Sequence, residues 1–411
     1  MKKILFNTPL QNKRYFDNVK KLLNSKKSLH GPGENIFKIK KDLKKQFGFD
    51  HVHLTNSCTA AMEMCALMVN LKKNEEVLMP SYNYNTTASS FVRTGCKVRY
   101  CDIDKKNLMP TFDQIKKNVN KMTKVIVIIH MQGLPIDYLG ELKKYCKLKK
   151  IILIEDAAPA LGSYVKNKPV GSFGDFACFS FHETKNYQSG IGGLLVVNNK
   201  KFRKKSDLVF DKGTDRTLVV SDPNYHKKYY SWVAMGSCFR LPELNASFLQ
   251  PQIKDINKVI KYRSYLYKRY VKNFQSWLTD EFTICNKLTH KYKYNYHAFT
   301  LILKKRGELM QDAYPENKAG MAAIIGLDCD KIIEIINNNN LDIEVANDNA
   351  PGQVVVSGIM KNIIFSEKIF KDNGARKFIL LNVSSAFHSK IMKEAELKMK
   401  DELKKINFLE P

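Results

Sequence analysis

The segments KVIVIIH (124–130) and KIILIED (150–156) are almost unbroken runs of branched apolar residues. A strand with one wet face alternates apolar and polar side chains. A run without alternation has to be covered on both faces, as strands of a parallel sheet are. KVRYCDID (97–104), EVLMP (76–80), VHLTNS (52–57), GDFACFSF (174–181) and GGLLVVNN (192–199) read as further strands. Helical patterns lie between them, at 58–70, from about Tyr84, at 111–120 and at 137–148. Residues 36–48 read as an amphipathic helix closed by Gly48. Alternation of this kind over roughly 170 residues predicts a parallel or mixed sheet with helices on both faces, an α/β fold.

Beyond this region the pattern changes. Residues 251–277 predict one long helix after a proline, and 293–304 a strand. Then MAAIIGL, DKIIEIINNN, LDIEVAN, QVVVSG, KNIIFSEKIFKDNG and RKFILLNV give the order βαββαβ of a ferredoxin-like α+β module, followed by a helix at 389–405. Charge changes in the same place. Residues 305–411 carry 15 basic and 16 acidic side chains, and the remainder 53 and 24.

The net charge of +28 raises nucleic acid as a partner. The excess is mostly Lys scattered among Asn and Ile, with no aromatic-interleaved basic patch, so solvated lysines explain it better and no nucleic-acid partner is expected. With 44% hydrophobic and 26% charged residues in 411, the chain is globular and long enough for about two or three domains. No apolar run approaches the ~18 residues of a membrane span. The N-terminus has two lysines but only a short apolar stretch, so neither a signal peptide nor a membrane partner is expected, and the expected location is cytoplasmic. Nine cysteines, none in a C-x-x-C pair, fit reduced thiols and argue against a disulfide framework or a structural zinc site; no metal is expected.

Four segments carry chemistry. Ser180-Phe181-His182-Glu183-Thr184-Lys185-Asn186 follows an apolar strand and precedes a glycine run. A lysine in a tight turn between buried strands has a depressed pKa and becomes an amine nucleophile for a carbonyl group; taken alone, in a chain this rich in lysine, a solvated loop lysine explains it better. Glu155-Asp156-Ala157-Ala158 ends a strand where open α/β sheets bind ligands. Asp156 there can face a cationic ring nitrogen or simply cap a helix. Thr55-Asn56-Ser57-Cys58-Thr59-Ala60 joins a strand to a helix, either as an anion site or as an ordinary N-cap. Pro80-Ser81-Tyr82-Asn83-Tyr84 offers aromatic faces to a flat ring or to the core.

In this order the segments resemble the DegT/DnrJ/StrS nucleotide-sugar aminotransferases, which use pyridoxal 5′-phosphate (PLP) on the aspartate-aminotransferase fold, and among them the dTDP-4-amino-4,6-dideoxygalactose transaminase branch. The resemblance runs from Phe6 to about Lys304 and includes Leu29-His30-Gly31-Pro32-Gly33 and Lys212-Gly213-Thr214-Asp215-Arg216. It implies an internal aldimine at Lys185, Asp156 on the pyridine nitrogen and Tyr84 stacked on the ring. It implies Cys58, Thr59 and Ser180 at the phosphate, completed by a partner subunit's loop around Cys238 in a homodimer. It places Gly31, Gly33, His182 and Arg240 at the substrate. The reaction implied is transfer of an amino group, with L-glutamate as donor, to a dTDP-4-keto-6-deoxyhexose. Many members carry Gln or His three residues after the Asp, where this chain has Pro159.

Residues 305–411 instead resemble the ferredoxin-like part of malonyl-CoA:acyl-carrier-protein transacylase, through Arg306-Gly307-Glu308-Leu309-Met310-Gln311, Met321 to Leu327, Asn347 to Val355 and Val383 to Ser389. Arg306 and His388 match its carboxylate-binding arginine and its general base. No G-x-S-x-G nucleophile accompanies them. The sequence thus predicts an aminotransferase large domain at 1–250, a truncated small domain at 251–304 and a ferredoxin-like module at 305–411. The alternatives are an inactive fusion that binds PLP or the sugar nucleotide without turnover, and an acyl-carrier-protein binding module.

Overall fold

The computed structural model describes residues 12–104, 107–216, 229–274, 282–284, 292–299, 301–303, 312, 318–350, 352–381, 383, 386 and 388–404. The chain divides into two compact units, Met1–Lys272 with Cys285–Thr300, and Asn273–Ile284 with Leu301–Pro411.

The first unit is built on a seven-stranded sheet of β1 (Val52–Thr55), β2 (Glu76–Pro80), β3 (Lys97–Cys101), β4 (Thr123–Ile129), β5 (Ile152–Asp156), β8 (Phe176–Ser180) and β9 (Gly193–Val197). Their order is β1-β9-β8-β5-β4-β2-β3. Only β9 runs against the others, pairing antiparallel with β1 and β8. The register sets Ile129 beside Asp156 and Asp156 beside Cys178, so β4, β5 and β8 end level with one another.

Both faces are covered, as the unbroken apolar runs require. On one face Ala177, Phe179, Leu194 and Val196 pack with Ile39 and Leu43 of α2 (Glu34–Phe47) and Leu249 and Ile253 of α8 (Glu243–Lys254). On the other, Val77, Val127, Phe176 and Cys178 meet Ala61, Met64 and Met68 of α3 (Cys58–Val69) and Phe91 of α4 (Asn85–Val92). Each buried Val, Leu, Ile, Phe or Met among them contributes roughly 1.5–3 kcal/mol. Gly48 ends α2 in the left-handed region (φ +71°), with its N–H on the Lys44 carbonyl. A residue with a Cβ is strained there.

Two elements differ from the sequence reading. The helix expected at 251–277 is two helices, α8 and α9 (Ile256–Phe274), and Pro251 lies inside the first. A proline gives no N–H to the carbonyl four residues back. That carbonyl, Ser247 O, instead accepts from Asn18 Nδ2 of α1 (Lys13–Asn24) at 2.5 Å. The second difference lies at 293–304. Residues 292–293 pair as β11 with β6 (Tyr164–Val165), and β12 (Leu301–Leu303) pairs with β10 (Phe282–Ile284). Residues 294–299 between them are irregular, held by side chain to backbone bonds: Asn295 Nδ2 donates to Pro159 O (2.7 Å) and Leu161 O (3.0 Å). The division between the compact units accordingly falls in the chain at 272/273, 284/285 and 300/301. Ile253 and Ile256 belong to one core of the first unit, and Tyr267 and Tyr294 to another.

In the second unit β13 (Ala319–Ile325), α10 (Cys329–Asn338), β14 (Ile343–Ala350), β15 (Gln353–Ile359), α11 (Met360–Asp372) and β16 (Lys377–Leu380) follow in chain order. They form an antiparallel sheet of order β14-β15-β13-β16. Ile324, Val354 and Val356 pack against Ile332, Ile363 and Phe370 from the two helices. The final helix is α12 (Lys393–Lys404). No helix among the described residues is long and apolar enough to cross a membrane.

Candidate functional site

At the level ends of β4, β5 and β8 lies a cavity of about 780 Å³. Cys58, Thr59, Tyr84, Asp156, Ser180, His182 and Lys185, seven of the residues singled out in the sequence, line it together.

Lys185 sits in the turn after β8. Burial lowers its pKa, while Cys58 and Asp156 act to raise it. An amine so placed gives up its proton more readily than a surface lysine. Asp156, the last residue of β5, is buried. Burial raises its pKa against the stabilising bonds from Thr87 Oγ1 (2.8 Å) and the Ala158 N–H (3.2 Å).

Glu155, one residue earlier, points to the other face and is treated oppositely. Its carboxylate accepts from the backbone N–H groups of Gly171 (2.8 Å), Phe173 (2.8 Å) and Gly174 (2.6 Å), and from His130 Nε2 (3.2 Å). Burial pushes its pKa up, but these bonds outweigh it and the net direction is down. His130 Nδ1 accepts the Ile136 N–H at 3.4 Å, which leaves the proton on Nε2 facing Glu155. Of the two adjacent carboxylates, Glu155 is satisfied by the fold, and Asp156 keeps capacity for a cation.

The N-cap reading of the β1–α3 junction falls on Ser57, whose Oγ accepts from Ala60 N at 3.0 Å. The Cys58 and Thr59 N–H groups at the positive end of α3 have no partner among the described residues. Cys58 is no reactive thiol: burial and Asp156 push its pKa well up. Tyr84 precedes α4 and is 72% exposed. Ser180 Oγ accepts the His182 N–H at 3.2 Å, and His182 Nδ1 lies 3.0 Å from Thr184 Oγ1.

The other predicted site residues stand elsewhere. Gly33 lines a separate cavity of about 270 Å³ with Asn18, Lys21, Lys38 and Glu243. A Cβ on Gly33 would meet the Glu243 carboxyl carbon at 2.5 Å, so close packing accounts for this glycine. Gly31 has φ +80° and precedes it by two residues. Cys238 is exposed, and its carbonyl accepts from Asn56 Nδ2 at 3.4 Å. Arg240 pairs with Asp211 at 2.6 Å. None of these four lines the Lys185 cavity. His388 is exposed, and Arg306 lies outside the described residues.

The sequence reading missed His297. It lines the cavity, and its Nδ1 lies 3.0 Å from Asn186 Oδ1. Asn186 Nδ2 donates to Asn295 O at 3.0 Å, which makes Oδ1 the acceptor and His297 Nδ1 the donor. Burial, then the charges of Lys185 and Arg263, lower its pKa to about 3. A base depressed in the folded state binds fewer protons than when unfolded. Stability is therefore expected to fall as pH drops from 6.5 towards 3. In His297→Gln that part of the pH dependence disappears, as thermal midpoints between pH 7 and pH 4 will show. The signal available was the polar run Tyr294-Asn295-Tyr296-His297, a poor strand.

A model of the DegT/DnrJ/EryC1/StrS aminotransferase family matches residues 9–324, and the chain belongs to this family. The match passes Lys304, where the resemblance read from motifs ends, and reaches into β13. GDP-perosamine synthase of Vibrio cholerae is 27% identical over 231 residues, 56% of this chain and 59% of that protein. The dTDP-4-dehydro-2,3,6-trideoxy-D-glucose 4-aminotransferase of Saccharopolyspora spinosa is 30% identical over 148 residues, 36% of this chain and 38% of that one. The chain thus matches less than two thirds of either relative. Among solved structures, the PLP form of the sugar aminotransferase Spr1654 from Streptococcus pneumoniae shares the fold, with TM-score 0.66, 18% identity, and 98% of this chain and 100% of that chain covered.

Proposed function

We propose that the cavity beside Lys185 holds PLP and that the chain moves an amino group from L-glutamate to the C-4 keto carbon of a dTDP-4-keto-6-deoxyhexose. The observation that carries this is the meeting, in one cavity, of a half-buried lysine, an under-supplied buried carboxylate and the Cys58 and Thr59 N–H groups of α3, which have no partner among the described residues. These residues fit the group: Asp156 would face the ring nitrogen, Cys58 N–H, Thr59 N–H and Ser180 Oγ the phosphate, and Tyr84 the ring. When bound, PLP supplies an electron sink for the substrate carbon.

The chain's own part is to hold and move protons. Asp156 keeps a cationic nitrogen protonated, since its own ionised form gains from a positive partner. Lys185 Nζ, tuned by burial, takes a proton from one carbon and returns it to another. His297, neutral and with Nε2 free of a proton, presents an acceptor at the same wall. A second copy of the chain is proposed to cover the mouth, where Tyr82, Tyr84 and Ile191 are exposed, and to bring its Cys238 loop to the phosphate. Acyl transfer is not proposed for residues 305–411, because the nucleophile motif is missing.

The test is product formation from L-glutamate and either dTDP- or GDP-linked 4-keto-6-deoxyhexose with added PLP. Amino sugar from the dTDP substrate alone supports the reading. Amino sugar from the GDP substrate alone transfers it to the nucleotide named for the Vibrio relative. Bound PLP without either product makes the chain an inactive binder.

A further inference from the structure

Away from the cavity, at the edge of the sheet, His51, His53 and Asp207 bring three donor atoms within 4.8 Å of one another. His51 and His53 are two residues apart at the start of edge strand β1, so their side chains share one face. Asp207 meets them from α7 (Arg203–Phe210). Its Oδ1 lies 3.3 Å from His51 Nε2 and 3.6 Å from His53 Nε2. A tetrahedral cation with ligands about 2.0–2.1 Å away separates its donors by about 3.3 Å. Ser206 Oγ stands 3.1 and 2.9 Å from the same two nitrogens. Its own proton goes to Arg203 O at 2.6 Å, which turns its lone pairs towards the imidazoles. Three donor atoms thus lie within reach of one another, and a fourth, Ser206 Oγ, lies within hydrogen-bond distance of both imidazole nitrogens.

We propose that His51, His53 and Asp207 bind a divalent cation of the zinc class, with Ser206 Oγ or a water as fourth ligand. Two imidazoles and one carboxylate suit a borderline cation such as Zn²⁺ or Co²⁺ better than Mg²⁺ or Ca²⁺, which favour all-oxygen sets. The missing cysteine spacing has no bearing on a set made of nitrogen and oxygen. The cation would join the edge strand to α7 across about 150 residues of chain, closing a long loop of the unfolded state. Two positive groups face the cluster. Lys40 of α2 interacts with Asp207, and Arg240 acts on both Lys40 and His53. Arg240 is paired with Asp211, which leaves the Lys40 ammonium as the cation's competitor for Asp207.

The test is titration of the purified chain with Co²⁺ and Zn²⁺, followed by visible absorption and equilibrium dialysis. One Co²⁺ per chain is expected, with ligand-field bands but no thiolate charge-transfer band, and Zn²⁺ displaces it. His51→Gln and Asp207→Asn are each expected to weaken binding by at least about tenfold. His53 is left in place because it is buried, and circular dichroism checks that both variants fold. Lys40→Met, which removes the competing charge, tightens binding. A thiolate band, no saturable binding, or equal affinity in the two folded variants would overturn the assignment and leave a hydrogen-bonded cluster only.

Discussion

Lys185→Ala is expected to lower transamination by at least about 10⁴-fold and to remove the visible absorbance of the chain with PLP. The size follows from two losses at one atom. In the proposed reading, Nζ would be both the amine that meets the cofactor's aldehyde and the proton carrier at the reacting carbon. Alanine supplies neither. The expected failure is specific, because Lys185 is only half-buried in a turn and makes no side-chain hydrogen bond among the described residues. Unfolding midpoints of Lys185→Ala without PLP are therefore expected within about 0.5 kcal/mol of the parent, the usual range for such positions. A variant that keeps the absorbance band would show that another group holds PLP. A variant that loses both band and fold would move Lys185 from chemistry to structure.

Glu155→Ala is expected to do the reverse, costing about 3–5 kcal/mol of stability, as removal of one partner of a buried charged network does. Glu155 and His130 are both fully buried. Alanine strands three backbone N–H groups and the His130 Nε2–H without acceptors, and each orphaned donor costs about 1–3 kcal/mol. Glutamine is no rescue, since its NH₂ would face N–H donors. Because the folded-state pKa of Glu155 is depressed, its contribution is present above the unfolded carboxyl value near 4.5 and lost as pH falls through the folded value. Acid unfolding of Glu155→Ala should be correspondingly shallower. Urea unfolding at pH 7, repeated below pH 4.5, measures both effects. Asp156 has the opposite shift and opposes folding slightly when ionised, a penalty that a bound cationic ring would offset.

The two neighbours show how far a sequence can be read. That E-D ends a strand was legible from the apolar run before it. Which of the two carboxylates the fold satisfies was not, since it depends on the N–H groups of 171–174 and on His130. Strands such as KVIVIIH were legible because burial on both faces removes alternation. Helix α2 was legible because Gly48 closes it. Pro251 misled, because its orphaned carbonyl is satisfied by Asn18, 229 residues away in the chain. His297 was hidden for the same kind of reason: its partner is Asn186, on a distant turn.

Residues 285–300 return to the first unit after the chain has entered the second. A ribosome adds about 5–20 residues per second, so Lys185 is made roughly 5–20 s before His297. Throughout that interval the nascent chain has its lysine, its aspartate and its helix start. It lacks the Asn295 bonds to Pro159 and Leu161 and the imidazole at the wall. The order of synthesis thus makes the cavity one of the last features of the first unit to be completed. Termination after Arg240 but before Asn295 yields a product that carries the site residues singled out in the first unit and an unfinished site.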